Sequence, residues 1–125
     1  MTAEELRIGN YVLDEENKVR LVTELSRALI RTSFDLILLA SEVKPIPLTE
    51  EILLKCGFEI NGKYYRSKYI QDSIKLIYYF NQRVLYFKYK GEFSPMIQIP
   101  RAIESLHELQ NIYYALTGEE LEAHL

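Results

Sequence analysis

With 125 residues, 48% hydrophobic and 26% charged, the chain has the size and balance of one ordered domain that can bury a core without staples. Its net charge of -3 argues against general attraction to nucleic acid, and no apolar run nears the roughly 20 residues that cross a bilayer. A single cysteine, Cys56, excludes an intrachain disulfide, and the acidic start Met1-Thr2-Ala3-Glu4-Glu5 lacks the regions of a signal peptide, so a cytoplasmic location is expected.

Residues 6–13 read as a first strand. Gly9-Asn10 lies inside it, where glycine marks a bulge or a close backbone approach. A turn at Asp14-Glu15-Glu16-Asn17 leads to a second strand over 18–25. Val19, Leu21 and Thr23 lie on one side of it; Arg20, Val22 and Glu24 lie on the other. Ser26-Arg27 turns the chain. Residues 28–40 then supply further strand, interrupted near Arg31-Thr32-Ser33 and densest at Leu36-Ile37-Leu38-Leu39-Ala40. Short strands with tight polar turns suggest a meander or a small SH3-like half-barrel.

Lys44-Pro45-Ile46-Pro47-Leu48 is extended, because each proline fixes its own φ and biases the residue before it. Thr49-Glu50-Glu51 opens a short middle helix, with Thr49 as cap and two carboxylates at the positive end of the helix. Gly57 ends it, and Phe58 folds back on Leu53 or Leu54. Asn61-Gly62 suits a two-residue hairpin turn between 58–60 and 63–70. Gln71-Asp72 turns next. Residues 73–80 alternate, with Ile74, Leu76, Tyr78 and Phe80 on one side. After Asn81-Gln82, Leu85, Phe87 and Tyr89 oppose Val84, Tyr86 and Lys88. Residues 91–95 form a loop, and 96–99 a last short strand closed by Pro100.

A longer C-terminal helix follows, opening between Arg101 and Ser105. Leu106, Leu109, Ile112, Tyr113 and Leu116 share one of its faces, and Gly118 stops it. The order is α+β: about six or seven mostly antiparallel strands and two helices. A single domain, 1–125, is expected, with sub-lobes 1–48 and 49–125, the β-rich remainder packing on the C-terminal helix.

Chemical motifs are sparse. Gly9, Gly57, Gly62, Gly91 and Gly118 are too far apart for a phosphate cradle. His107-Glu108 lacks the second histidine of a zinc protease, since position 111 is Asn. Glu104 and His107 carry the spacing of a di-metal helix, but in one copy only. No G-x-S-x-G elbow marks a nucleophilic serine. The expectation is therefore no enzyme, no metal and no cofactor.

The middle of the chain is unusual. Residues 61–91 carry seven Lys/Arg against Asp72 alone, and seven of the ten tyrosines lie between Tyr64 and Tyr89. Aromatic rings stack on bases and basic groups follow phosphates, which makes Lys63, Tyr64, Arg66, Lys68, Tyr86 and Lys88 a candidate binding surface. Tyrosine also has high strand propensity and is favoured at protein interfaces, so the same pattern fits an ordinary sheet or a protein contact.

Three segments also carry a resemblance: 6–12 (Leu6-Arg7-Ile8-Gly9-Asn10-Tyr11-Val12), 45–58 around Pro45-Ile46-Pro47-Leu48-Thr49, and 107–121 around Gln110-Asn111-Ile112-Tyr113-Tyr114. Together they resemble a family of small uncharacterised proteins of bacterial phages and integrated mobile elements. The resemblance implies an accessory role in host takeover or defence evasion, and carries over no catalytic residue. The expected function is a protein-interaction module whose partner is an unknown protein or a second copy of the chain. The alternative is a single-stranded nucleic-acid binder using 63–90. No membrane partner is expected.

Overall fold

Strands Ile74–Tyr79 and Val84–Tyr89 of one sheet follow from stretches in which inward side chains recur at every second residue, while the other sheet also draws on the continuous apolar run 36–40. The computed structural model describes residues 3–26, 29–33, 36–60, 62–70, 74–89 and 95–125. Among them it forms nine strands in two antiparallel sheets, with two α-helices. The expected α+β class holds, with two more short strands than the upper expectation of seven. The chain groups into two compact units, Met1–Leu48 with Ser105–Leu121, and Thr49–Glu104 with Glu122–Leu125. Sequence order would assign the C-terminal helix to 49–125; its contacts assign it to the first unit.

In the first unit, β1 (Tyr11–Leu13), β2 (Val19–Leu25), β3 (Leu29–Thr32) and β4 (Ile37–Leu39) form a meander in that order. The chain then returns to β1, where Leu13 and Lys44 exchange backbone hydrogen bonds of 2.9 and 2.8 Å. This return, with a bulge between Val22 and Glu24, curls the sheet into a half-barrel. Its core is Leu6, Val12, Val22, Ile30, Leu38 and Val43.

The first strand is shorter than its apolar pattern suggests. Gly9 adopts φ 99°, the Asn10 side chain accepts the Arg7 N–H at 2.7 Å, and the Asn10 N–H donates to Arg7 O at 3.0 Å. These make residues 7–10 a turn, so pairing starts only at Tyr11. The next turn is built on Asp14. Its carboxylate accepts the backbone N–H groups of Lys18 and Glu16 at 3.0 and 2.8 Å, and the Arg20 guanidinium at 3.0 Å. The Lys18 N–H is the main cause holding this carboxyl below its usual range; Arg20 and the Glu16 N–H add to it, against the effect of burial.

Helix α2 (Leu106–Thr117) stops as expected, with Gly118 left-handed at φ 72°. Leu106, Leu109 and Tyr113 are buried, while Ile112, expected in the core, is half-buried. A polar seam joins this helix to the turn at residues 7–10. The Gln110 carboxamide is fully buried, accepts the Tyr11 N–H at 2.9 Å and donates to Gly9 O at 3.1 Å. Asn10 donates to the Asn111 side chain at 2.8 Å, and Asn111 donates to Glu5 O at 3.2 Å. The Arg7 guanidinium forks onto the Glu120 carboxylate and lies 4.3 Å from the centre of the Tyr114 ring.

The second unit opens with α1 (Glu50–Lys55). Thr49 Oγ1 accepts the Ile52 N–H at 3.2 Å. Gly57 closes the helix at φ 85°, and the Phe58 N–H donates to Leu53 O at 3.0 Å with both side chains buried. Then β5 (Glu59–Ile60), β6 (Tyr65–Ile70), β7 (Ile74–Tyr79), β8 (Val84–Tyr89) and β9 (Ile97–Gln98) form a second meander in sequence order. The hairpin after α1 exists, but Ile60 pairs with Arg66, so four residues separate the strands rather than two. Asn61 of the expected turn, the Gln71-Asp72 turn and residues 91–94 of the expected loop lie outside the described residues.

Cross-strand pairing assigns each side chain to a face. Arg66, Tyr78 and Leu85 form one row, and Lys68, Leu76 and Phe87 the next. Leu76, Tyr78 and Leu85 are buried, as are Leu53, Cys56 and Phe58 in and after α1. Lys68 donates to Cys56 O at 2.8 Å, which places α1 on this face, and the Tyr78 hydroxyl donates to Ile103 O at 2.6 Å.

Candidate functional site

The six residues singled out from the sequence do not share a face. Lys63 and Tyr64 precede β6 and are exposed, with Lys63 Nζ 5.5 Å from the centre of the Tyr64 ring. Arg66 and Lys68 point to the α1 side. Arg66 is buried there, ion-paired with Glu50 and donating to Gly62 O at 2.9 Å and Tyr65 O at 2.8 Å. Tyr86 and Lys88 lie on the opposite face, as their alternation in sequence indicates. The six are therefore divided between the two faces: the Ile60–Arg66 register turns the two basic residues of β6 inward.

The opposite face assembles another set. Tyr65 pairs with Tyr79, and Tyr79 also meets Tyr86, with ring centres 5.3 and 5.5 Å apart. Farther along the strands, Tyr69, Lys75 and Lys88 lie side by side across β6, β7 and β8. Lys75 Nζ is 5.5 Å from the Tyr69 ring centre. Among the described residues, no carboxylate forms an ion pair with Lys75 or Lys88. Beside Tyr79 lies a shallow depression of about 300 Å³ lined by Tyr64, Tyr79, Asn81 and Gln82.

A second surface, on the first unit, escaped the sequence reading. Leu29 pairs with Leu39, and Arg31 with Ile37, so these side chains share the outer face of β3 and β4. Leu29, Ile37 and Leu39 are 46%, 49% and 48% exposed, well beyond ordinary core residues. A depression of about 130 Å³ runs between Leu29, Ile37, Leu25, Ser26 and the ion pair Glu24–Arg31, whose atoms are 3.3 Å apart. The signal was the run Leu36-Ile37-Leu38-Leu39-Ala40. A strand has two faces, so a continuous apolar run presents apolar groups on both. Leu36, Leu38 and Ala40 serve the core, which leaves Ile37 and Leu39 outside.

The groups most suggestive of catalysis are used internally. Ser105 Oγ lies 3.1 Å from His107 Nδ1 and donates to Glu108 at 2.7 Å; His107 Nε2 lies 3.8 Å from Glu5. Ser105 and His107 are buried, so this cluster fastens the start of α2 instead of presenting a hydroxyl to solvent. Glu104 does not converge on His107; it pairs with Arg83 at 2.9 Å. Among the described residues, no group of three or more His, Cys, Asp or Glu could hold a metal ion. Burial pushes the Cys56 thiol up to about 11, with Lys68 pulling weakly the other way, so it stays protonated near neutrality. No described helix is long and apolar enough to cross a membrane.

No family model, no curated protein and no solved structure matches the chain.

Proposed function

We propose that the chain is a protein-interaction module whose contact surface is the outer face of β3 and β4. The carrying observation is the co-facial set Leu29, Ile37 and Leu39, each nearly half exposed and next to the others in register. Burying an aliphatic side chain completely is worth about 1.5–3 kcal/mol, so three together give a contact centre. Glu24 and Arg31 supply a rim with both charges, which orients a partner without drawing in polyanions. An accessory role in a phage or mobile element, implied by the resemblance of the sequence, fits a protein that acts by contact.

The test is a pull-down from host lysate with nuclease present, run with the native chain and with an Ile37→Ser/Leu39→Ser variant. A partner that survives nuclease and is lost with the variant is expected. Light scattering on the purified chain tells a second copy from another protein. An unchanged partner set, with no change in mass, sinks the reading.

A further inference from the structure

The outer face of β6–β8 has two features that an ordinary tyrosine-rich sheet does not need. First, Lys75 and Lys88 are directly opposite each other on neighbouring strands. Like charges so placed are destabilising, and no described carboxylate pairs with either one. An external anion between them would reverse the sign of that interaction. Glu59 is the acidic residue that pairing places on the same face, and it sits on the far side of β6.

Second, the depression at the other end of the strands combines two phenol rings with the carboxamides of Asn81 and Gln82. Each carboxamide offers a donor and an acceptor, and its lining residues carry no charge. That chemistry suits a flat ring with donors and acceptors on its edge. Tyr64 and Tyr69, one at each end, are 55% and 52% exposed and so have ring surface left for stacking. Tyr79 lines the depression and touches Tyr65 and Tyr86, so aromatic rings span β6 to β8 at that end, while Ser67 and Ile77 in the next row are buried. From Tyr79 to Lys75 along β7 is about 13 Å at the usual strand rise, the reach of a few nucleotides rather than one.

We infer that this face binds a short stretch of single-stranded nucleic acid, with a base in the Tyr64–Tyr79–Asn81–Gln82 depression and backbone phosphate between Lys75 and Lys88. The site lies in the second unit, and its fate is separate from that of the β3–β4 contact surface. Its residues also differ from the six that sequence alone suggests: Tyr65, Tyr69, Lys75, Tyr79, Asn81 and Gln82 enter, and Lys63, Arg66 and Lys68 leave.

Fluorescence anisotropy with a labelled ten-nucleotide single strand of mixed sequence, and with the matching duplex, tests this on the full chain. The single strand should bind more tightly than the duplex. The log–log salt slope should contain roughly -0.7 for each phosphate held by the lysine pair. Lys75→Gln/Lys88→Gln should reduce that slope, and Tyr64→Ala should weaken binding roughly ten-fold, as loss of one stacked base does. Circular dichroism of both variants checks that they fold. Equal binding of duplex, a salt slope unaltered in the lysine variant, or no binding at low salt would each overturn the inference. So would a protein partner that survives nuclease and is lost on Tyr64→Ala.

Discussion

The outer face of β3–β4 and the outer face of β6–β8 come from the same construction and have opposite chemistry. Each belongs to an antiparallel meander that turns aliphatic residues inward: Val22, Ile30 and Leu38 in one, Leu76 and Leu85 in the other. Outward, the first presents Leu29, Ile37 and Leu39 with one ion pair, and the second presents tyrosines with two lysines that no described carboxylate pairs. The inner pattern specifies a sheet and is nearly interchangeable between them. The outer pattern is free of that duty, so it is where the two units differ in what they can bind.

The sharpest test of this contrast is on the inner side. Leu109→Ala in the first unit and Leu76→Ala in the second remove fully buried side chains, and each should lower stability by about 2–5 kcal/mol. Chemical denaturation measures it. An unchanged midpoint for either would show that the face is not core, and the symmetry of the comparison would fail. A smaller effect concerns acid. Asp14 has its folded pKa depressed, so its contribution is present above its ordinary value, near 4, and is lost as pH falls through the lower folded value. Asp14→Asn should therefore be less stable than the native chain at neutral pH, and the gap should close on acidification. A gap that widened below pH 4 would contradict the hydrogen-bonded turn. The smallest effect is expected outside: Ile37→Ser and Tyr69→Ser should each change stability by no more than about 0.5 kcal/mol, because both are exposed. A large loss at either would mean that the face serves the fold.

What the sequence disclosed was local. Thr49, Gly57 and Phe58 delimit α1, and all three act through partners within a few residues. Gly118 stops α2 by the same kind of short-range geometry. The alternation of β7 and β8 likewise sorts their side chains correctly between faces. Features that depend on distant partners stayed hidden. Residues 6–10 carry a strand-like pattern, yet they turn, in contact with Gln110 and Asn111 a hundred residues away. The candidate surface suffered for a related reason. Alternation reveals which residues within a strand share a side, but the loop before β6 decides which side is inward, and a shift of one residue exchanges the faces. Arg66 and Lys68 look like solvent-facing cations until Glu50 and the carbonyl of Cys56 are brought to them.

The seam between the turn at residues 7–10 and α2 has a consequence for the order in which the molecule forms. Its hydrogen bonds and ion pair join groups 99 to 113 residues apart, and residues 49–104 of the other unit are synthesised in between. During synthesis from the N-terminal end, the half-barrel strands emerge early, yet the Tyr11 amide and the Gly9 carbonyl have no helix to meet until Gln110 leaves the ribosome. Residues 49–104 can by then have arranged β5 to β9 from contacts close in sequence, which form fastest. The unit whose strands are made first thus waits for its polar seam until residues 110–120 have been made.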